Sequence, residues 1–402
     1  MSNTAFIYDA VRTPRSKGKK DGRLHEVKPV DLGAGLFRAL QQRNDLDTSY
    51  VDDVIMGCVS PVGEQGGDIA KMIVQNADWH ESVAGVQLNR FCASGLEAVN
   101  SAAAKVASGW DNLIVAGGIE CMSRVPMGAD GGAMTSDAAF AIKTGFVPQG
   151  IGADTIATID GYSREDVDAY ALESQQRAAN ARDNGWFDSA VVPVVDSNGI
   201  TILERDDFIK ANSTLAGLGG LRASFEEMAK YGFDDIMLKK YNSLERINHV
   251  HTPGNSSGIV DGASAVLIGS EQAGNDLNMT PRAKIRATAI LSTDPIIMLA
   301  GPGPSAKKAL KAAGMTKEDI DLWEINEAFA SVAMRYMRDL DIGHDITNVV
   351  GGSIAMGHPL GATGGCIIGS MLNELERRDL QTGMLSLCVG GGMGISCIIE
   401  RV

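Results

Sequence analysis

The stretch VAGVQLNRFCASGLEAVNSAAAKVASGWDNLIVAGGIE, residues 83–120, decides the fold class. VAGVQLNRF reads as a strand. From Cys92, ASGLEAVNSAAAKVASG has the small and apolar spacing of a helix, and Gly109 ends it. NLIVAGGIE, residues 112–120, is a short apolar run that suits a buried strand. Strand, helix and strand in succession imply a layered α/β domain. The junction also puts one cysteine, Cys92, where extended chain gives way to helix. A free cysteine is usually a small, inert core residue. At a helix N-terminus, however, the dipole favours its nucleophilic thiolate form.

The same grammar runs outward from this stretch. AFIYDAVRTP reads as a strand with a turn at Thr13-Pro14, residues 30–43 as a helix, 51–60 as a strand and 67–77 as a helix. From about Met122 to Ser257 the character changes. A long helix with a capping-box start at Ser163 and Asp166 lies among glycine-bearing loops, as in an insertion. Residues 258–270 return to a buried strand. The last third repeats the first: IDLWEINEAFA stands where VDDVIMGCVSP stood, GGSIAMGHPLGATGG where NRFCASGLEA stood, and MLSLCVGGGMG where NLIVAGGIE stood. The landmarks pair Met56 with Glu324, Cys92 with His358 and Gly117 with Gly390. Two similar α/β halves are expected, with a site where their equivalent loops meet.

Composition narrows the classes. At 402 residues, 44% hydrophobic and 21% charged, the chain is an ordinary globular protein too long for one simple core. A net charge of −14 argues against nucleic-acid binding. The N-terminus lacks a signal-peptide pattern, and no run is long enough to span a membrane, so a cytoplasmic protein is expected. Neither C-x-x-C nor H-E-x-x-H occurs, so no metal site is expected, and the six cysteines fit reduced thiols better than a disulfide framework.

Cys92 and His358, at equivalent places, could form a nucleophile and its base. Cys388, at the end of LSLC, is either a buried strand cysteine or a second acid/base group. The glycines after it, including Gly390, could aim N–H groups as an oxyanion hole. Asn326 is either a helix cap or a holder of water or acyl oxygen. GNSSG, residues 254–258, matches the G-x-S-x-G hydrolase pattern but lacks its strand–turn–helix context. His249 and His251 alternate along an extended stretch and read as structural.

From end to end the chain resembles the thiolases, through NRFCASGLEAV, GGIECMS, EINEAFA, NVVGGSIAMGHPLGATGG and CVGGGMG. The resemblance implies two βαβαβαββ halves in a five-layered α-β-α-β-α core, with an inserted loop domain. The halves would be residues 1–121 plus 258–279 and residues 280–402, and the loop domain residues 122–257. Cys92 matches the acylated nucleophile, His358 its base, Asn326 the residue fixing a water in the first oxyanion hole, and Cys388 the acid/base for the acetyl-CoA enolate. The N–H groups of Cys92 and Gly390 match the second oxyanion hole. Ser257, Leu221, Ser224, Phe225, Ala328 and Phe329 match positions lining a coenzyme A channel. Lys210 and Arg222 are phosphate partners on charge grounds only.

The implied activity is 3-ketoacyl-CoA cleavage by coenzyme A, a substrate rather than a resident cofactor. An acetoacetyl-CoA-specific biosynthetic thiolase is the alternative, but the methionine of its His-Met-Gly segment is Gln149 here, which favours a degradative role. Gly365-Cys366 replaces the usual Ala-Arg, with no evident consequence. A ketoacyl-synthase-like condensing enzyme would need a Cys-His-His set, and a non-catalytic lipid-binding relative would not need Cys92, His358 and Cys388 together. The resemblance also implies a homodimer or homotetramer, with a β-oxidation hydratase/dehydrogenase as a possible partner.

Overall fold

The computed structural model describes residues 3–402. The first half contributes β1 (Phe6–Arg12), α1 (Pro29–Arg43), β2 (Asp53–Gly57), α2 (Ile69–Asn76), β3 (Val86–Leu88), α3 (Ser94–Ser108) and β4 (Leu113–Cys121). The inserted region holds α4 (Gln149–Asp160), α5 (Arg164–Asp183) and α6 (Phe233–Lys240), with shorter helical turns between them. It is more helical than its glycine-bearing sequence promised. The α5 capping box is formed as expected, Ser163 and Asp166 satisfying each other's backbone N–H. The chain then returns through β5 (Val260–Gly269). The second half runs β6 (Ala283–Ser292), α7 (Pro302–Ala313), β7 (Leu322–Ile325), α8 (Ala330–Leu340), α9 (Thr363–Arg378), β8 (Thr382–Val389) and β9 (Met393–Arg401).

The sheet order exposes the duplication. The first half pairs β3-β2-β4-β5-β1, parallel as far as β4 and antiparallel beyond it. The second pairs β7-β8-β9-β6 with the same directions. Its counterpart of β3 has shrunk to one parallel bridge, Trp323 to Thr347. The halves join where β1 meets β6, so hydrogen bonding runs through one ten-stranded sheet, its tenth strand the short Ser16–Lys17 paired with β5.

Strand alternation sends side chains to opposite faces, and the apolar clusters follow it. Tyr8 and Val11 face α1 and α2, whereas Ile7 and Ala10 face a central layer built on α3 and α9. In β8, Leu385 and Leu387 face that same central layer, and Met384 faces α7 and α8. The order is therefore helix, sheet, helix, sheet, helix.

The central helices begin in contact because glycine lines the seam. A Cβ on Gly364 would stand 1.9 Å from Leu96 N, and one on Gly95 would stand 2.5 Å from Gly361 O. No side chain fits there, and the absence of one brings the loops before α3 and α9 together. Those loops carry Cys92 and His358.

The inserted region is tied to β1 by a buried ion pair. Arg12 and Asp206, each 1% exposed, meet at 2.7 Å, and Asp206 also accepts the Arg15 N–H at 2.8 Å. Removing one partner leaves an uncompensated buried charge. Asp206→Ala is expected to cost about 3–5 kcal/mol in urea unfolding.

Candidate active site

Cys92 follows a strained residue. Phe91 has φ of +46°, a left-handed conformation that costs a non-glycine residue about 1–2 kcal/mol and gathers at functional sites. Local bonds hold it there. Its N–H donates to Asn89 Oδ1 at 2.8 Å, and its carbonyl accepts from Ser94 Oγ at 2.6 Å. The turn brings Cys92 to the start of α3, buried with Val59, Met122 and Leu360. Gly390 approaches from the other half, so close that a Cβ on it would stand 3.0 Å from the Phe91 ring.

Burial drives the Cys92 thiol up to about 11, and hydrogen bonds from its own N–H, the Gln149 side chain and the Gly390 N–H pull it only partway back. The expected thiolate preference is thus outweighed by desolvation. Cys388 is fully buried, and burial and the neighbouring Cys92 raise its thiol further. His358 goes the other way: burial, reinforced by the charge of Arg15, lowers it to about 3. At neutral pH both thiols keep their protons and the imidazole has none to spare.

His358 is held by two side chains. Nδ1 lies 2.6 Å from Thr363 Oγ1, and Nε2 lies 3.3 Å from Asn326 Nδ2. The Asn326 carbonyl oxygen accepts from Ser353 Oγ at 2.6 Å, so the amide points its NH₂ at the ring. With Nε2 accepting from Asn326, Nδ1 donates to the threonine. Asn326 is therefore not a helix cap; β7 ends beside it and α8 begins later, at Ala330.

Glu120 was not singled out from sequence, yet it stitches the two halves at this point. It accepts from Val59 N (2.9 Å), Ser60 N (3.1 Å), Gln65 Nε2 (3.0 Å) and Gly361 N (2.9 Å). Glu327, next to Asn326, ties the inserted region to the second half, accepting from Tyr170 and Ser174 of α5 and from Asn348 and Ile354. A charged residue closing an apolar run was the available signal for Glu120.

Register refines the landmark pairing. Met56 pairs with Gly117 across β2 and β4, and Glu324 pairs with Leu385 across β7 and β8. The counterpart of Gly117 is therefore Leu385, not Gly390, which lies beyond the strand. Carried along each strand, the same register sets Cys58 against Asn326 and Glu120 against Cys388.

The residues read as a coenzyme A channel mostly cluster. Ser257 N–H donates to Ala328 O (2.9 Å), Ser224 N–H donates to His251 O (2.8 Å), and the Phe225 and Phe329 rings stand edge to face at 5.9 Å. Leu221 packs against Gly254. Lys210 and Arg222 are exposed, and Lys210 lies over the Phe208 ring, which rests on Gly258. Among the described residues no metal-holding group of His, Cys, Asp and Glu occurs, and no helix is long and apolar enough to cross a membrane.

Two buried, protonated thiols beside a neutral imidazole, on loops that glycines bring together, suit acyl transfer. Residues 5–230 match the thiolase N-terminal domain and residues 279–401 the thiolase C-terminal domain. A 3-ketoacyl-CoA thiolase of Aliivibrio fischeri is 36% identical over 100% of both chains. The 3-oxoadipyl-CoA/3-oxo-5,6-dehydrosuberyl-CoA thiolase of Escherichia coli K12 is 38% identical over 99% of both. Among solved structures, the human mitochondrial 3-ketoacyl-CoA thiolase superposes with a TM-score of 0.85 at 30% identity, covering 100% of this chain and 99% of the other. The chain belongs to the thiolase family. Its activity is that of a 3-ketoacyl-CoA thiolase, an acyltransferase working on acyl-CoA thioesters.

Proposed function

We propose that Cys92 is the acyl carrier in CoA-dependent cleavage of a 3-ketoacyl-CoA. The observation that carries this is the glycine seam that brings the Cys92 and His358 loops together, with Gly390 of the second half close to the Phe91 ring beside Cys92. His358 takes the Cys92 proton as the sulfur attacks the 3-keto carbon. The ring and the Asn326 amide, through a held water, receive one developing oxyanion. The N–H groups of Cys92 and Gly390 receive the other. Collapse breaks the Cα–Cβ bond and leaves the enolate of acetyl-CoA, which Cys388 protonates. Free coenzyme A then lifts the acyl group from Cys92, giving ping-pong kinetics.

Coenzyme A lies along Ser257, Leu221, Ser224, Phe225, Ala328 and Phe329 in this reading, with Lys210 and Arg222 meeting its phosphates. The domain division is residues 1–121 with 258–279, 122–257 and 280–402. Gln149, in place of the methionine of the biosynthetic enzymes, favours a degradative, β-oxidation-type role over an acetoacetyl-CoA-specific one. The enzyme works in the cytoplasm as a homodimer or homotetramer, receiving its 3-ketoacyl-CoA from a hydratase/dehydrogenase. Incubation with acetoacetyl-CoA is expected to add one acetyl group to the peptide carrying Cys92, seen by intact and peptide mass. Label on Ser256, or no label, would remove the mechanism.

A further inference from the structure

One buried group beside this site has no task in the chemistry above. His251 is fully buried. Its Nδ1 lies 2.7 Å from Asp154 Oδ1, and its Nε2 has no hydrogen-bond partner among the described residues. Asp154, on α4, also receives His249 Nδ1 at 2.8 Å, Val250 N–H at 3.1 Å and His251 N–H at 3.0 Å. His249 is held in turn by Asp234 of α6 at 3.0 Å. Burial would raise the Asp154 carboxyl, but the two histidines hold it below its ordinary value. An ionised Asp154 fixes His251 with Nδ1–H toward α4 and Nε2 on the opposite edge of the ring.

The ring itself packs into an apolar neighbourhood. The His251 ring stands edge to face with Phe329 at 5.3 Å, and Phe329 stands edge to face with Phe225. The Phe225 ring covers Gly150, next to the Gln149 that reaches Cys92. Phe329 and Cys388 share one apolar cluster with Val147, Ile151 and Met298. A ring nitrogen left unpaired there is costly, whereas phenylalanine or leucine would fill the space without that penalty. Asp154 does not need the ring, since His249 and two backbone N–H groups already satisfy it.

Resting on the assignment of Cys92 as acyl carrier, we propose that the Asp154–His251 pair is a polar subsite for the acyl part of the substrate, His251 Nε2 hydrogen-bonding an oxygen on the chain. The neutral ring offers a lone pair, which suits a hydroxyl. The protonated ring offers an N–H, which suits a carboxylate. Either way the enzyme favours an oxygen-bearing acyl chain over a plain alkyl chain of equal length. A site built to hydrogen-bond a substrate group discriminates strongly against the analogue lacking it.

The test measures kcat/KM of the full-length enzyme for 3-oxohexanoyl-CoA and for the same chain ending in a hydroxyl or in a carboxylate. His251→Phe is expected to lower the preference for one oxygen-bearing substrate over the plain one by about tenfold to a hundredfold. The arm that falls tells hydroxyl from carboxylate. His251→Gln, which keeps a hydrogen-bonding head, is expected to recover part of the preference. His251→Met carries the same ratio test if phenylalanine overfills the site. Acetylation of Cys92 by acetoacetyl-CoA, followed in parallel, is expected to stay within about twofold and checks the acyl-carrier assignment separately. Equal loss on all three substrates, the mark of a packing role or a contact to the CoA arm, would overturn the proposal. So would unchanged ratios.

Discussion

Replacing Cys92 by serine is expected to lower kcat/KM for 3-ketoacyl-CoA cleavage by about 10⁴-fold or more, with the fold intact. The side chain is 5% exposed and packs against Val59, Met122 and Leu360, so an oxygen in place of sulfur fits the same space. It costs only about 1–3 kcal/mol of stability for a poorly paired hydroxyl. The chemistry suffers far more. His358 is a weak base, lowered to about 3 by burial and Arg15. It can draw a proton from a thiol that the Gln149 and Gly390 donors help to ionise, but an alcohol is several units harder to deprotonate. Activity within tenfold of the unsubstituted enzyme, alongside an unchanged melting temperature, would assign the acyl group elsewhere.

Much of this arrangement was legible in the sequence, for identifiable reasons. Residues 83–120 change period at Cys92 and at Gly109, and the structure turns there: α3 covers Ser94–Ser108, and Gly109 takes φ of +77°. The duplication was legible because both halves need the same buried strands and the same loop before a central helix. What was misread depends on long-range geometry. Gly117 and Gly390 look alike in sequence, but only register shows that one lies inside β4 and the other past the end of β8. The second copy of β3 left no strand signature because it survives as a single bridge at Thr347.

Other features were hidden by what periodicity measures. The helical turns Ala133–Ser136 and Ala138–Thr144 bury no residue and are too short to show a helical period. Glu120 and Glu327 declare themselves only once their donors, drawn from distant segments, are assembled around them. The pairing of His251 with Asp154 was hidden because the two are far apart in sequence and close only in space.

Replacing Cys388 by serine is expected to separate the two half-reactions. Cys388 is fully buried at the end of β8, in the register that Glu120 holds in β4, and its raised thiol keeps its proton at neutral pH. That proton is needed only when the Cα–Cβ bond breaks and an enolate must be quenched. Exchange of an acyl group between coenzyme A and Cys92 breaks no carbon–carbon bond and needs only Cys92 and His358. Cleavage of a 3-ketoacyl-CoA should therefore fall by about 10²–10⁴-fold, the usual share of a positioned acid or base. Exchange of labelled coenzyme A into an acyl-CoA should fall less than about tenfold, since the shape around Cys92 is kept. Deuterium uptake from heavy water at the methyl carbon of acetyl-CoA should be lost together with cleavage, because making the enolate is its protonation in reverse. Equal loss of exchange and cleavage would mean that Cys388 supports Cys92 rather than serving the enolate.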